Sequence, residues 1–283
     1  MNQEPFINWK ALSGIHMAQR PPVRPENGVN MWDLESVRYD KMSALEKELT
    51  VKQVDALPLS PEDTVLDMGC GCGRLSVPVA QRVKAVTSLD SSEKMLSNCE
   101  ANAKAAGVEN LTPLFLDFFE AEAGVNVPVH DIVFCSRSAA IWEIEKLCTF
   151  ARKYAAVLIF ANAPSLPELL GKLFSGTTEE PAGRGPHRIR DRRLDYNALW
   201  NTVYDLGYEP NCTIVPDGFT ARYASVEEAC DDLRMLGTVD PDREETYRQN
   251  VMQFLTRRED GDWDLLILTR TAVIWWEVHP EKF

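Results

Sequence analysis

Thr64-Val65-Leu66-Asp67-Met68-Gly69-Cys70-Gly71-Cys72-Gly73-Arg74 carries most of the structural information in this chain. A short apolar run ends in an acid, and glycines follow at three alternate positions. Leu75-Ser76-Val77-Pro78-Val79-Ala80 then opens as a helix, with Pro78 where a first turn tolerates it. Strand, glycine turn and helix in that order begin a ligand-binding α/β unit. The loop chemistry narrows the ligand. A G-x-G-x-x-G dinucleotide turn needs its third glycine at position 74, which is arginine. A P-loop needs Gly-Lys followed by Ser or Thr, and none is present here. An acid at position 67 repels a pyrophosphate and attracts an ammonium group.

Working outward, strands and helices alternate over residues 60–162. Ala85-Val86-Thr87-Ser88-Leu89-Asp90 reads as a second strand ending in an acid, and residues 91–106 as a helix closed by Gly107. Leu111–Leu116 is a third strand, ending at Asp117, and His130–Cys135 a fourth. Residues 141–153 read as a helix and 155–160 as a fifth strand. This alternation predicts a parallel sheet with helices on both faces. Upstream, Leu34, Val37, Met42, Leu45, Leu49 and Val54 recur at helical spacing and predict an apolar helix face. Downstream, residues 195–206, 225–236 and 244–258 read as helices, Asn211–Val215 as a strand, and Trp263–Trp276 as containing a long last strand.

Asp67-Met68-Gly69-Cys70-Gly71-Cys72-Gly73 resembles the first motif of class I S-adenosylmethionine (SAM) methyltransferases, and the likeness covers about residues 60–162. It implies an α/β, Rossmann-like class I methyltransferase fold, with a seven-stranded, mostly parallel sheet and helices on both faces. It implies SAM as the cofactor and methyl transfer to a small-molecule acceptor, releasing S-adenosylhomocysteine. Asp67, Gly69, Gly71 and Gly73 would form the methionine side. Asp90, with Ser91 beside it, would clamp the ribose hydroxyls. Asp117 and Phe118 would take the adenine amino group and ring. Ser136, in Cys135-Ser136-Arg137, falls where the family places residues near the cofactor methionine and the acceptor. Trp32 and Tyr39, on the preceding helix, would lie over the sulfonium, where aromatic faces favour a cation and exclude water.

Each of these residues also has a plainer role. Acids at strand ends often cap the next helix, and Ser91-Ser92-Glu93 fits that role after Asp90. Cys70 and Cys72 lack a second pair at zinc spacing, and the four histidines form no metal-like pair, so no metal is expected. Cys135 fits a buried structural thiol better than a nucleophile. Trp275-Trp276 fits core packing or an oligomer contact. Arg184, His187, Arg188, Arg190, Arg192 and Arg193 make one dense basic run, read as a solvated loop or as a clamp for an anionic acceptor. No catalytic base stands out; Tyr39, His187 and Tyr196 are the candidates.

The 283 residues include 30 Lys plus Arg against 43 Asp plus Glu, a formal net charge of −13. Phosphate contacts come from cations, so this balance disfavours nucleic acid as a partner. No apolar stretch reaches the roughly 20 residues that span a bilayer. Seven cysteines and an N-terminus without a signal-peptide pattern predict free thiols and a cytoplasmic chain. The expected organisation is an arm and helical extension over 1–58 and a methyltransferase domain over 59–283, with inserts at about 164–193 and 217–260. A homodimer stays open. The alternatives are an RNA or protein methyltransferase and a non-catalytic SAM-binding accessory protein. An NAD-linked oxidoreductase fits the loop poorly.

Overall fold

A computed structural model describes residues 7–9, 11–12, 30–161, 164, 166–179 and 196–278. Helix α1 (Met31–Asp55) begins at Asn30, whose side-chain oxygen accepts the Trp32 N–H. Strand β1 (Thr64–Met68) is buried almost throughout, as a central strand must be. It leads through the glycine loop into the five-residue α2 (Ser76–Ala80) and then β2 (Ala85–Asp90). Helix α3 (Glu93–Ala105) starts at Ser92, whose Oγ accepts the Met95 N–H at 3.1 Å, and buries Met95, Leu96, Cys99 and Ala103. Next come β3 (Leu111–Phe115), β4 (His130–Ser136), α4 (Ile144–Thr149) and β5 (Ala151–Phe160). Then follow α5 (Leu166–Leu173), α6 (Tyr196–Asp205), β6 (Asn211–Tyr223), α7 (Val226–Leu233), α8 (Glu244–Met252), β7 (Leu255–Arg257) and β8 (Trp263–Glu277).

The main path of the sheet runs β3-β2-β1-β4-β5-β8-β6. Strands β1 to β5 pair in parallel, while β8 is antiparallel to both β5 and β6. This is the expected Rossmann-like arrangement with one addition: short β7 pairs with the start of β8, making eight strands. Order reverses beside β1, so the crevice lies at the carboxyl ends of β1, β2 and β4. One core fills one face around Leu66, Val133, Val157, Ile274 and Trp276, under Leu147, Leu199 and Val203. The other face packs Val65, Ile132, Phe134 and Val273 against Val54, Val79 and Ala80.

Strand β5 ends against Thr271, whereas β6 and β8 stay paired to Tyr223 and Trp263. Their overhang carries a further core of Leu169, Leu173, Phe219, Leu233, Tyr247, Val251 and Ile267, joined by Leu45 of α1. A cap is thus built past the carboxyl end of β5.

Several sequence expectations change. The helix expected over 141–153 is only Ile144–Thr149, because Ala151–Tyr154 extends β5 against β4 and β8. The helix over 244–258 stops at Met252, and 255–257 is strand. The strand expected over 211–215 runs on to Tyr223. The apolar face of α1 is interrupted: Leu34 and Val37 are exposed, while Ser36, Glu46, Thr50 and Gln53 are buried. In each case tertiary pairing or burial overrides the local pattern.

Candidate cofactor and methyl-transfer site

The glycine loop is built from backbone constraints. Gly69, Gly71 and Gly73 all have positive φ, at 82°, 56° and 82°. The Gly69 and Cys70 N–H groups donate to the Leu89 carbonyl at 2.8 and 3.0 Å, locking the turn to the end of β2. A side chain at Gly69 would meet Ser138 at 2.6 Å, and one at Gly73 would meet the Cys99 sulfur at 2.7 Å. At Gly71 nothing lies within 4 Å. Gly69 and Gly73 are therefore packing glycines, and Gly71 faces open space.

Two carboxylates flank this space. Asp90 Oδ2 accepts the Gly71 N–H at 2.8 Å and Oδ1 accepts the Ser92 N–H at 3.0 Å. Burial raises its carboxyl above the usual range, opposed by those backbone donors. Asp67 lies beneath the loop, only 2 % exposed. Its Oδ2 accepts from Ser76 Oγ at 2.6 Å. Burial pushes its carboxyl up to about 7, against the opposing Ser76 hydrogen bond and the Arg74 charge.

The start of α1 docks on the end of β2. Asn30 Nδ2 donates to the Ser91 carbonyl at 2.6 Å, and Ser92 Oγ donates to Asp33. Trp32 and Tyr39 pack edge to face with ring centroids 5.4 Å apart, each partly exposed. Burial raises the Tyr39 phenol, with Arg137 and Arg74 pulling it down and Glu46 pushing it up, so its hydroxyl end senses all three charges. Asp117 is exposed and accepts the Phe119 N–H at 2.8 Å, starting the turn Phe118–Glu120; the capping role is the one seen. Phe118 is buried, with Lys146 Nζ 4.8 Å from its ring centroid.

Ser136 Oγ accepts from Arg74 at 2.8 Å. Tyr196 starts α6 and packs on the core beneath it. His187 and the basic run 184–193 lie outside the described residues. The Cys135 thiol, pushed up to about 12 by burial, contacts Ser138 Oγ at 3.0 Å, which makes it a packed structural group. Among the described residues no cluster of metal ligands occurs, and no helix is long and apolar enough to cross a membrane.

Sequence reasoning missed the ion cluster beside the loop. Glu46 receives Arg137 Nη1 at 2.9 and 3.2 Å and lies 3.2 Å from Arg74 Nε. Arg74 also reaches Thr50 at 3.2 Å and Gln53 at 3.0 Å. Arg137 pairs with buried Asp217, which Thr271 and the Gly218 N–H also bond. The available signal was the run Glu46, Thr50, Gln53, a polar stripe at helical spacing that looks solvated in isolation.

The acids of this turn are Asp90, which holds the Gly71 N–H, and Asp67, buried beneath the loop near the Arg74 charge, and Gly71 leaves room above its backbone.

Residues 65–159 match the family described as "Methyltransferase domain". An uncharacterised protein of Haemophilus influenzae is 26% identical over 96% of this chain and 97% of its own length. A probable cobalt-precorrin-6B C(15)-methyltransferase (decarboxylating) of Methanococcus maripaludis is 39% identical over 28% of the chain and 44% of its own length. The 23S rRNA (uracil(1939)-C(5))-methyltransferase RlmD of Photobacterium angustum is 39% identical over 23% of the chain and 32% of its own length. The chain thus spans under half the length of these two enzymes.

Proposed function

We propose that this chain, a member of the class I SAM-dependent methyltransferase family, methylates a small-molecule acceptor. The observation that carries the proposal is the pairing of Gly71 and Asp90. An open glycine holds its N–H on a strand-end carboxylate, so the loop and the ribose-clamp acid keep one register. Asp67, Gly69, Gly71 and Gly73 form the methionine side, Asp90 and Ser91 the ribose side, and Asp117 and Phe118 the adenine side. When bound, SAM supplies an electrophilic methyl on a sulfonium.

Asp67, Asp90 and the glycine loop would hold that group so that its methyl could pass to a lone pair of the acceptor, leaving S-adenosylhomocysteine as the product. The protein's contribution is alignment and exclusion of water. Trp32 and Tyr39, packed edge to face on α1 where the Tyr39 carbonyl lies 3.7 Å from the Cys72 sulfur of the loop, would border this space. With its phenol raised by burial, Tyr39 is protonated at neutral pH and acts as a donor that orients the acceptor, not as a base. The precorrin-type relative supports a small organic acceptor, and the −13 charge opposes an RNA one. An anionic acceptor would draw on the basic run 184–193.

Calorimetric titration of the whole chain with SAM, S-adenosylhomocysteine and NAD tests the reading. Micromolar binding of the first two, lost in Asp90→Ala, supports it. Binding of NAD alone overturns it.

A further inference from the structure

Arg137 is the one described residue other than glycine with positive φ, at 55°. A left-handed conformation at such a residue is disfavoured and persists where the surroundings over-determine it. The surroundings here do. The guanidinium lies 4.2 Å from the centroid of Phe160, at the end of β5. One arm donates twice to Glu46 of α1, and the other pairs with Asp217 of β6. Both carboxylates are buried, at 2% and 0% exposure.

Asp217 is itself held, its Oδ1 accepting the Gly218 N–H at 2.8 Å and its Oδ2 accepting from Thr271. Arg74 of the glycine loop shares Glu46 and holds Ser136. Two cations and two anions therefore join α1, the glycine loop, the end of β4 and the cap strand. Burying four charges is a poor way to gain stability, since hydrophobic replacements of such clusters are often neutral or stabilising. It is an effective way to fix geometry, and the forked, planar guanidinium suits two acceptors at once better than an ammonium does.

We propose that Arg137 is a positioning residue for methyl transfer: by bridging Glu46 and Asp217 it holds α1, with Trp32 and Tyr39, across the carboxyl ends of β1 and β4. This rests on the methyltransferase reading. The bridge ties the helix that borders the acceptor space to the loop that would hold the cofactor. Ligand binding at the loop is therefore felt along α1.

Hydrogen exchange of the full chain, with and without S-adenosylhomocysteine, separates the outcomes. In the wild type the ligand slows exchange at residues 67–75 and along 31–45. In Arg137→Gln protection at 67–75 survives, while protection along 31–45 falls about tenfold and ligand affinity weakens by a similar factor. Arg137→Lys, which keeps the charge but not the fork, recovers part of both. A merely structural role would lower protection throughout the sheet instead of along α1. Where Arg137→Gln does not fold, Glu46→Gln removes the same bridge from the helix side together with the Arg74 pair, and is read along 31–45 alone. Unchanged α1 protection in a folded variant overturns the proposal. A wild type that neither binds nor is protected by S-adenosylhomocysteine overturns the methyltransferase reading instead.

Discussion

Asp67 illustrates how a motif residue acquires its chemistry from burial. Its carboxyl, ordinarily near 3.8, sits near 7 in the folded chain. The folded state then holds the proton more tightly than the unfolded chain between those values. The stabilisation is full at low pH and is lost as pH rises from about 4 to about 7. Asp67→Asn, neutral throughout, should gain stability relative to wild type across pH 4.5–8 in denaturant titrations; a flat difference would contradict the assignment. An ammonium-bearing ligand over the loop favours the ionised form, so SAM affinity should rise with pH through neutrality in the wild type and stay level in the variant. The glycines divide by the same kind of local reasoning. Gly71→Ala should cost only about 1–2 kcal/mol of backbone strain in thermal melts yet impair cofactor binding. Gly69→Ala, which collides with Ser138, should lose much more stability.

At the level of elements, α1 is held at two points. Its start is tied to β2 by Asn30, which both caps the helix and reaches the Ser91 carbonyl. Its middle is tied to the ion cluster by Glu46. Asn30→Ala should remove about 1 kcal/mol of capping and the tether together. The expected outcome is a small drop in melting temperature with a several-fold weaker S-adenosylhomocysteine affinity by calorimetry. Equal affinity would show that the start of α1 does not shape the ribose side. The β6–β8 overhang acts in a complementary way, carrying Asp217 past the end of β5 to a place where a strand ending at Val215 could not deliver it.

For the whole molecule, two apolar layers sandwich the sheet and a third core caps its carboxyl edge. Among the described residues, Arg74 and Arg137 at that edge are matched by Glu46 and Asp217. With a net charge of −13, the chain should show no retention of RNA on filters at roughly 0.1 M salt. Salt-sensitive retention would favour a macromolecular acceptor, with the basic run 184–193 as the place to look for contacts.

The strands and the positive-φ glycine loop were legible in sequence because they obey local rules. A buried strand must be apolar, and a positive-φ turn asks for glycine. Parallel pairing of β1 to β5 followed from the alternation of strands and helices, while their order β3-β2-β1-β4-β5 is given by the tertiary structure. What stayed hidden depends on partners far along the chain. Leu34 and Val37 read as part of an apolar helix face yet lie exposed, while the polar Glu46, Thr50 and Gln53 lie buried. A helix cannot specify from its own spacing which side meets a sheet, because that depends on what the sheet presents. Here it presents Arg74 and Arg137, whose charges must be met by carboxylates from α1 and, 80 residues beyond Arg137, from Asp217.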